Sequence, residues 1–166
     1  MPITLIVDSV NELLTISNLQ SKSNPFKARI GIRVVSKLCF QKNTSRFGID
    51  IDDPKQLKVV RDAVASGVNI KGIHLHITED RSVESFEERL DYLIRVWDEL
   101  NIGDLQFVDV GGGFASNMPA EIRKQLTYSV STLKEYGNSL GKKMKQKFHD
   151  EEVELICEPG TGILAE

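Results

Sequence analysis

The chain has 166 residues, 40% of them hydrophobic and 27% charged, an ordinary globular composition with apolar material for one sizeable core. A formal charge of −3, with basic residues scattered apart from Lys142, Lys143, Lys145 and Lys147, gives no electrostatic footprint for nucleic acid or an anionic membrane. No apolar run approaches the roughly 20 residues that span a bilayer, no charged-then-apolar leader opens the chain, and Cys39 and Cys157 form no closely spaced pair, so a reducing cytoplasm is the expected setting.

Ile3 to Val7 reads as a short β-branched strand, and Ser9-Val10-Asn11-Glu12 as a capping box opening a helix with Val10, Leu13, Leu14 and Leu19 on its apolar face. A second strand, Ala28 to Val35, leads through a polar loop to Asp53-Pro54, an N-cap followed by proline at the first helical position. Leu57, Val60 and Val64 form that helix's stripe and Gly67 its C-terminal stop. The third strand, Ile70 to Ile77, precedes a long helix carrying Phe86, Leu90, Leu93, Ile94, Trp97 and Leu100, closed by Asn101 and Gly103. Leu105 to Val110 is a fourth strand entering Gly111-Gly112-Gly113. Pro119 starts a helical stretch with Ile122, Leu126, Val130 and Leu133, the basic run is a solvated helix end, and Val153 to Cys157 is a fifth strand.

Strand–helix alternation with near-continuous apolar strands predicts a parallel sheet covered by helices, either doubly wound or a (β/α) barrel. His74, His76, the triple glycine and Glu158 all fall at or just past the C-terminal ends of strands, where barrel sites are built, although doubly wound sheets bind ligands at the same edge. Five strands fall short of the eight strands and roughly 250 residues of a full barrel. The expectation is one partial (β/α) barrel domain of TIM type over residues 1–166, whose open edges call for further sequence or a partner chain.

Several residues carry chemistry. Gly111 to Gly113, after a strand and before a helical stretch, offer unobstructed backbone amides to a phosphate, or simply make a tight turn. His74 and His76, two apart, share a face and read either as ligand-lining or as hydrogen-bonded buried histidines. Zinc is the sharper alternative, with Glu79 or Asp80 nearby, but the remaining histidine, His149, lies in the basic run and leaves such a site short of nitrogen ligands. Glu158-Pro159-Gly160 ends the last strand, where a carboxylate in a barrel mouth needs a cation or protonated ring nitrogen, unless it is a surface turn.

In this order the segments resemble the ornithine/diaminopimelate/arginine decarboxylase family of pyridoxal-phosphate (PLP) enzymes. Asp8-Ser9 through Glu12-Leu13 resembles its strand-to-helix turn, Ser45-Arg46-Phe47-Gly48 its "S-K/R-F-G" loop, Gly72-Ile73-His74-Leu75-His76-Ile77 its "G-L-H-x-H-I-G-S", Asp109-Val110-Gly111-Gly112-Gly113-Phe114 its "D-I-G-G-G-F", and Glu158-Pro159-Gly160 its "E-P-G-R". The resemblance implies a PLP barrel in which His76 stacks on the cofactor ring, Gly111, Gly112 and Gly113 hold its phosphate, Glu158 pairs with the pyridine nitrogen, and Gly160 and Arg33 belong to the cofactor site; no metal ligand is implied. A carboxylate at that nitrogen keeps it protonated and the ring a strong electron sink.

The departures are as specific. Thr78-Glu79 stands where the family has Gly-Ser, and Thr161 where it has a phosphate-binding arginine, so Glu79 opposes a dianionic phosphate and one cation is missing. No "K-A-N"-like motif supplies the cofactor-bonding lysine, and Lys27 and Lys37 lie in unmatched contexts. The resemblance begins at about the middle of the family's barrel and stops at its last strand, without the first strands or the C-terminal β-domain. It implies a barrel segment whose complete relatives decarboxylate a basic or dibasic amino acid. It further implies a chain inactive alone, completed by a homo-oligomer or a complementing chain. A degenerate homologue acting by association with a decarboxylase is the second reading, and a metal-dependent barrel hydrolase using His74 and His76 the third.

Overall fold

The computed structural model describes residues 3–20, 28–36, 38, 45–116, 118–126, 128–149 and 152–160. Five strands, β1 (Thr4–Val7), β2 (Arg29–Arg33), β3 (Ile70–His74), β4 (Phe107–Gly112) and β5 (Glu154–Glu158), form one sheet in chain order. Every neighbouring pair is parallel. A doubly wound sheet reverses its strand order at a switch point; this one never reverses, so successive right-handed crossovers place the helices on one face. The architecture is an incomplete parallel (β/α) barrel, and the alternative left open by periodicity is removed.

The helices are α1 (Val10–Gln20), α2 (Pro54–Ala65), α3 (Val83–Leu100), the single turn α4 (Ala120–Arg123) and α5 (Leu133–Lys147). Asp53 caps α2 by accepting from the Lys55 amide at 2.9 Å, and Gly67 at φ +98° lets the chain leave it. Ser82 caps α3, and Asn101 in the left-handed conformation ends it. At α1 the expected capping box is displaced by one residue: Ser9 Oγ accepts from the Glu12 amide at 3.3 Å, but the Glu12 carboxylate reaches back to the Asp8 amide at 2.6 Å. No helix among the described residues is long and apolar enough to cross a membrane.

The main correction concerns the segment between β4 and β5. The helix expected from Pro119 through Leu133 lasts one turn, Ile122 and Leu133 are exposed, and the helix of this crossover is instead α5. Thr132 and Glu135 form a reciprocal capping box there, and Tyr136, Leu140 and Met144 at four-residue spacing are its buried stripe. The hydroxyl and β-branched residues Ser129 to Thr132 favour local side-chain bonds over helix. The basic run does close a helix, yet Lys143 and Lys147 are not simply solvated: they reach Asp91 and Asp98 of α3 at 2.6 and 3.0 Å.

Residues paired in parallel register share a face. On the helix side Val7, Ile32, Ile73 and Val108 are buried in a core completed by Leu13, Val60, Phe86, Leu90 and Leu93. On the inner side the register Ile6, Gly31, Gly72, Phe107 forms one layer. Phe107 is fully buried and spreads across both glycines; a Cβ on Gly72 would lie 2.1 Å from its ring. One step toward the C-terminal edge the same register brings Arg33, His74 and Asp109 side by side.

Candidate functional site

This second inner layer is polar where the first is apolar. Arg33 donates to Asp8 Oδ1 at 2.9 Å and lies over the Phe47 ring at 5.2 Å. Ser45-Arg46-Phe47-Gly48 delivers that ring: Ser45 Oγ bonds both the amide and the carbonyl of Phe47, and the Gly48 amide donates to Asp8 O at 3.0 Å. Gly48 adopts φ +96°, and a Cβ there would strike the Val34 carbonyl carbon at 2.9 Å, so the motif's glycine is a steric requirement.

His76, Gly112 and Glu158 lie together. The Gly112 amide donates to His76 Nδ1 at 3.2 Å, Glu158 Oε2 is 3.5 Å from the same nitrogen and 3.9 Å from His74 Nε2, and Gly112 pairs in register with Glu158. The two imidazole centroids are 6.5 Å apart. Glu158, and not the expected Glu79 or Asp80, stands with the two histidines as a third donor, the three donor atoms within 4.8 Å of one another. The His76 Nδ1 lone pair is nevertheless occupied by the Gly112 amide, so a metal there would have to break that bond. Gly160 is exposed with nothing packed at its Cβ position, and Thr161, Lys27, Lys37 and Cys39 lie outside the described residues.

The triple glycine departs from the expectation in one respect. Its first two amides are taken inside the protein, Gly111 N–H by Asp109 Oδ1 at 2.9 Å and Gly112 N–H by His76, leaving Gly113 as the member of the turn not held this way. Close packing demands glycine here: a Cβ on Gly111 would lie 2.6 Å from Leu75 O, and Gly111 and Gly113 adopt φ +71° and +100°.

Burial sets the charge states. Desolvation lowers the His74 pKa to about 4, against the attraction of Glu158 and with help from Arg33 and His76, so the ring is neutral at physiological pH. Burial raises Asp109 to about 7, the Gly111 hydrogen bond opposing and Glu158 adding to the rise. The Cys157 thiol, on a residue that keeps an exposed surface, is raised to about 11 by desolvation at the sulfur, with the Asp109 carboxyl adding to the rise.

Three residues escaped sequence reasoning. Arg89 of α3 is completely buried; it donates to Gly112 O at 3.1 Å and to Asp80 O and stacks over Phe86 at 4.1 Å, bolting the glycine turn to the β3–α3 loop. Its place in the apolar stripe, three residues after Phe86, was the available signal. Arg81 lies against Gly113, and Ser116 follows on the β4 loop; neither had a signal. Among the described residues, the buried side-chain polar atoms without a hydrogen-bond partner are His74 Nδ1 and Nε2, Arg81 Nη1, Arg89 Nε and Ser116 Oγ. All belong to β3, β4, their C-terminal loops or the arginine bound to them. Native proteins rarely leave buried polar atoms unpaired, and the concentration of these at one end of the sheet makes that end the candidate site.

Solved structures similar to this chain include a biosynthetic arginine decarboxylase from Campylobacter jejuni (TM-score 0.68, 22% identity, covering 95% of this chain and 26% of that one). Others are a diaminopimelate decarboxylase mutant from Helicobacter pylori complexed with L-lysine (0.63, 23%, 94% and 39%) and a lysine/ornithine decarboxylase from Vibrio vulnificus complexed with putrescine (0.61, 18%, 93% and 38%). This chain therefore spans well under half the length of these proteins. Comparison with curated protein sequences finds no significant match. The pyridoxal binding domain of pyridoxal-dependent decarboxylases matches residues 3–165, essentially the whole chain, which accordingly belongs to that family.

Proposed function

We propose that the mouth formed by His74, His76, Gly111 to Gly113 and Glu158 holds pyridoxal 5′-phosphate as part of an amino-acid decarboxylase acting on a basic or dibasic substrate. The observation that carries this reading is the gathering of unpaired buried donors around a glycine turn that faces a carboxylate. An anionic tail and a ring bearing a protonatable nitrogen satisfy that set together. The cofactor supplies an electron sink for the electrons left when a substrate carboxylate departs as carbon dioxide.

Each residue has a task that its geometry supports. Glu158, half-exposed at the edge of β5, holds a proton on the ring nitrogen through charge. His76, fixed by the Gly112 amide, offers a ring face at a set orientation. Neutral His74 and the Asp8–Arg33 pair form the polar floor. Among the described residues, the lysines stand on or beside helices or, for Lys71, face Asp104 near the opposite end of β3, so none occupies the mouth. On this reading the covalent lysine of a working enzyme comes from outside the described residues or from another chain, so the described mouth holds the cofactor without supplying that lysine.

Equilibrium dialysis of the purified chain against PLP, followed by borohydride reduction and peptide mapping, tests the reading. Saturable binding weakened in Glu158→Gln, without a stoichiometric pyridoxyl-lysine, is the expected result. Absence of saturable binding would refute it, and one fully labelled lysine with carbon dioxide release would show a complete enzyme.

A further inference from the structure

We propose that Arg81 is the cation that receives the phosphate of the ligand, at the Gly113 corner of the turn, in place of an arginine following Glu158-Pro159-Gly160. The proposal rests on the PLP reading and names the residue that makes the site selective for a phosphorylated ligand.

The position of Arg81 argues for it. Ideal Cβ placement at Gly113 would bring that atom to 3.7 Å from Arg81 Cγ and 3.8 Å from its Nε, so the arginine stem lies along the one glycine whose amide is not taken by Asp109 or His76. Its Nη1 is buried without a hydrogen-bond partner, and no ion pair engages its guanidinium among the described residues. A buried guanidinium N–H left open is costly, and a dianionic oxygen is the acceptor that best satisfies it.

The surroundings hold Arg81 in place without neutralising it. Tyr136, buried in an edge-on cluster with Phe86 and Phe114, donates its hydroxyl to the Arg81 carbonyl, which anchors the backbone of this residue. The neighbouring Arg89 guanidinium feels Arg81 as a like charge, and its own Nε is also unpaired, so two cations share this corner. Glu79 and Asp80 lie nearby and oppose an anion. The Asp80 carboxylate accepts from the Ser82 amide at 2.8 Å and Glu79 from the Thr78 hydroxyl at 3.4 Å, bonds that leave both charges in place, so Arg81 and Arg89 must outweigh them at this corner. With two of three glycine amides already used, backbone donors alone would hold a phosphate weakly, and Thr161 brings no charge where the family has arginine. Arg81 restores the missing charge from the other side of the turn.

The experiment measures binding of PLP, pyridoxal and inorganic phosphate to wild type, Arg81→Gln and Arg81→Lys by calorimetry, with urea midpoints confirming that the variants fold. In wild type, PLP binds more tightly than pyridoxal and inorganic phosphate competes with it. Arg81→Gln is expected to weaken PLP binding about tenfold or more, leave pyridoxal within about twofold, and abolish competition by phosphate. Arg81→Lys retains an intermediate preference, because a point charge replaces the fork. An unchanged preference for PLP over pyridoxal in Arg81→Gln would overturn the proposal while leaving the cofactor reading intact. If wild type bound neither PLP nor pyridoxal, the cofactor reading would fail by itself. Phosphate binding lost in Arg81→Gln would then still support an anion site at Arg81, and no phosphate binding would sink both.

Discussion

Replacing Asp109 by asparagine should make the protein more stable at neutral and alkaline pH, and the size of the gain follows from where the carboxyl sits. Asp109 is 3% exposed, and its pKa rises from an ordinary 3.8 to about 7, chiefly through burial. Above pH 4 the unfolded chain ionises this group while the folded chain keeps it protonated. The folded state therefore binds the extra proton, and stability falls as pH rises from about 4 to 7. A gap of about three pH units at 1.36 kcal/mol each amounts to roughly 4 kcal/mol lost by pH 7 to 8. His74 works in the opposite direction: its pKa is lowered from 6.5 to about 4, so its contribution is present above pH 6.5 and is lost as pH falls toward 4. Between those limits the two slopes nearly cancel in the wild type. Asparagine keeps the oxygen that accepts the Gly111 amide and removes only the ionisation. Urea unfolding at half-unit steps from pH 4 to 8 should show matching stability near pH 4 and a growing advantage for Asp109→Asn above it. The variant should also expose a His74 slope of about 1.4 kcal/mol per pH unit. A stability difference independent of pH would refute the reasoning, because it would mean that the carboxylate is charged in the folded protein throughout.

The apolar layer beneath the site makes a steric prediction. Gly72→Ala puts a methyl about 2 Å from the buried Phe107 ring and should lower stability by about 1–3 kcal/mol or more, with partial recovery on adding Phe107→Leu, as read by a double-mutant cycle in urea. Arg89→Met should cost about 1–3 kcal/mol, since the Gly112 and Asp80 carbonyls lose their donor, and Arg89→Lys should not fully restore it because lysine places its donors on a single nitrogen whereas the two carbonyls are met by two separate guanidinium nitrogens. Loss of amide protection confined to the glycine turn and the β3–α3 loop in hydrogen exchange would be the accompanying sign, and unaltered protection there would count against the bolt.

The alternation of elements was legible because each strand is short and apolar and most helices announce their ends: Asp53-Pro54 opens α2, Gly67 follows it, and Asn101 closes α3. Periodicity alone could not choose barrel over doubly wound sheet; the ordered motifs carried that choice, and the unreversed strand order agrees with it. The segment before β5 was misread because Ile122, Leu126, Val130 and Leu133 imitate a helical stripe. The real helix buries only Tyr136, Leu140 and Met144 among glycines and lysines. Within the site, motif residues such as His76, Gly112 and Glu158 were visible because their types are unusual at strand ends. Arg81 and Ser116 were not, since an arginine or serine in a loop looks solvated until burial is known.

The glycine turn also explains why its supporting residues are scattered along the chain. Each of its members is held by a different neighbour: Gly111 by the Asp109 carboxyl, Gly112 by His76 on one side and Arg89 on the other, and Gly113 by packing on Arg81. Three of those four side chains come from β3, its loop or α3, so the crossover after β3 positions the turn after β4. A binding surface whose supports are themselves packed is formed before the ligand arrives, and the ordering entropy is met during folding rather than on binding. The consequence is directional. Damage to the β3–α3 crossover should weaken the anion capture proposed for the β4 turn even when every glycine is intact, whereas the Asp8–Arg33 pair at the ends of β1 and β2, which touches none of the three glycines, should shape only the floor of the mouth.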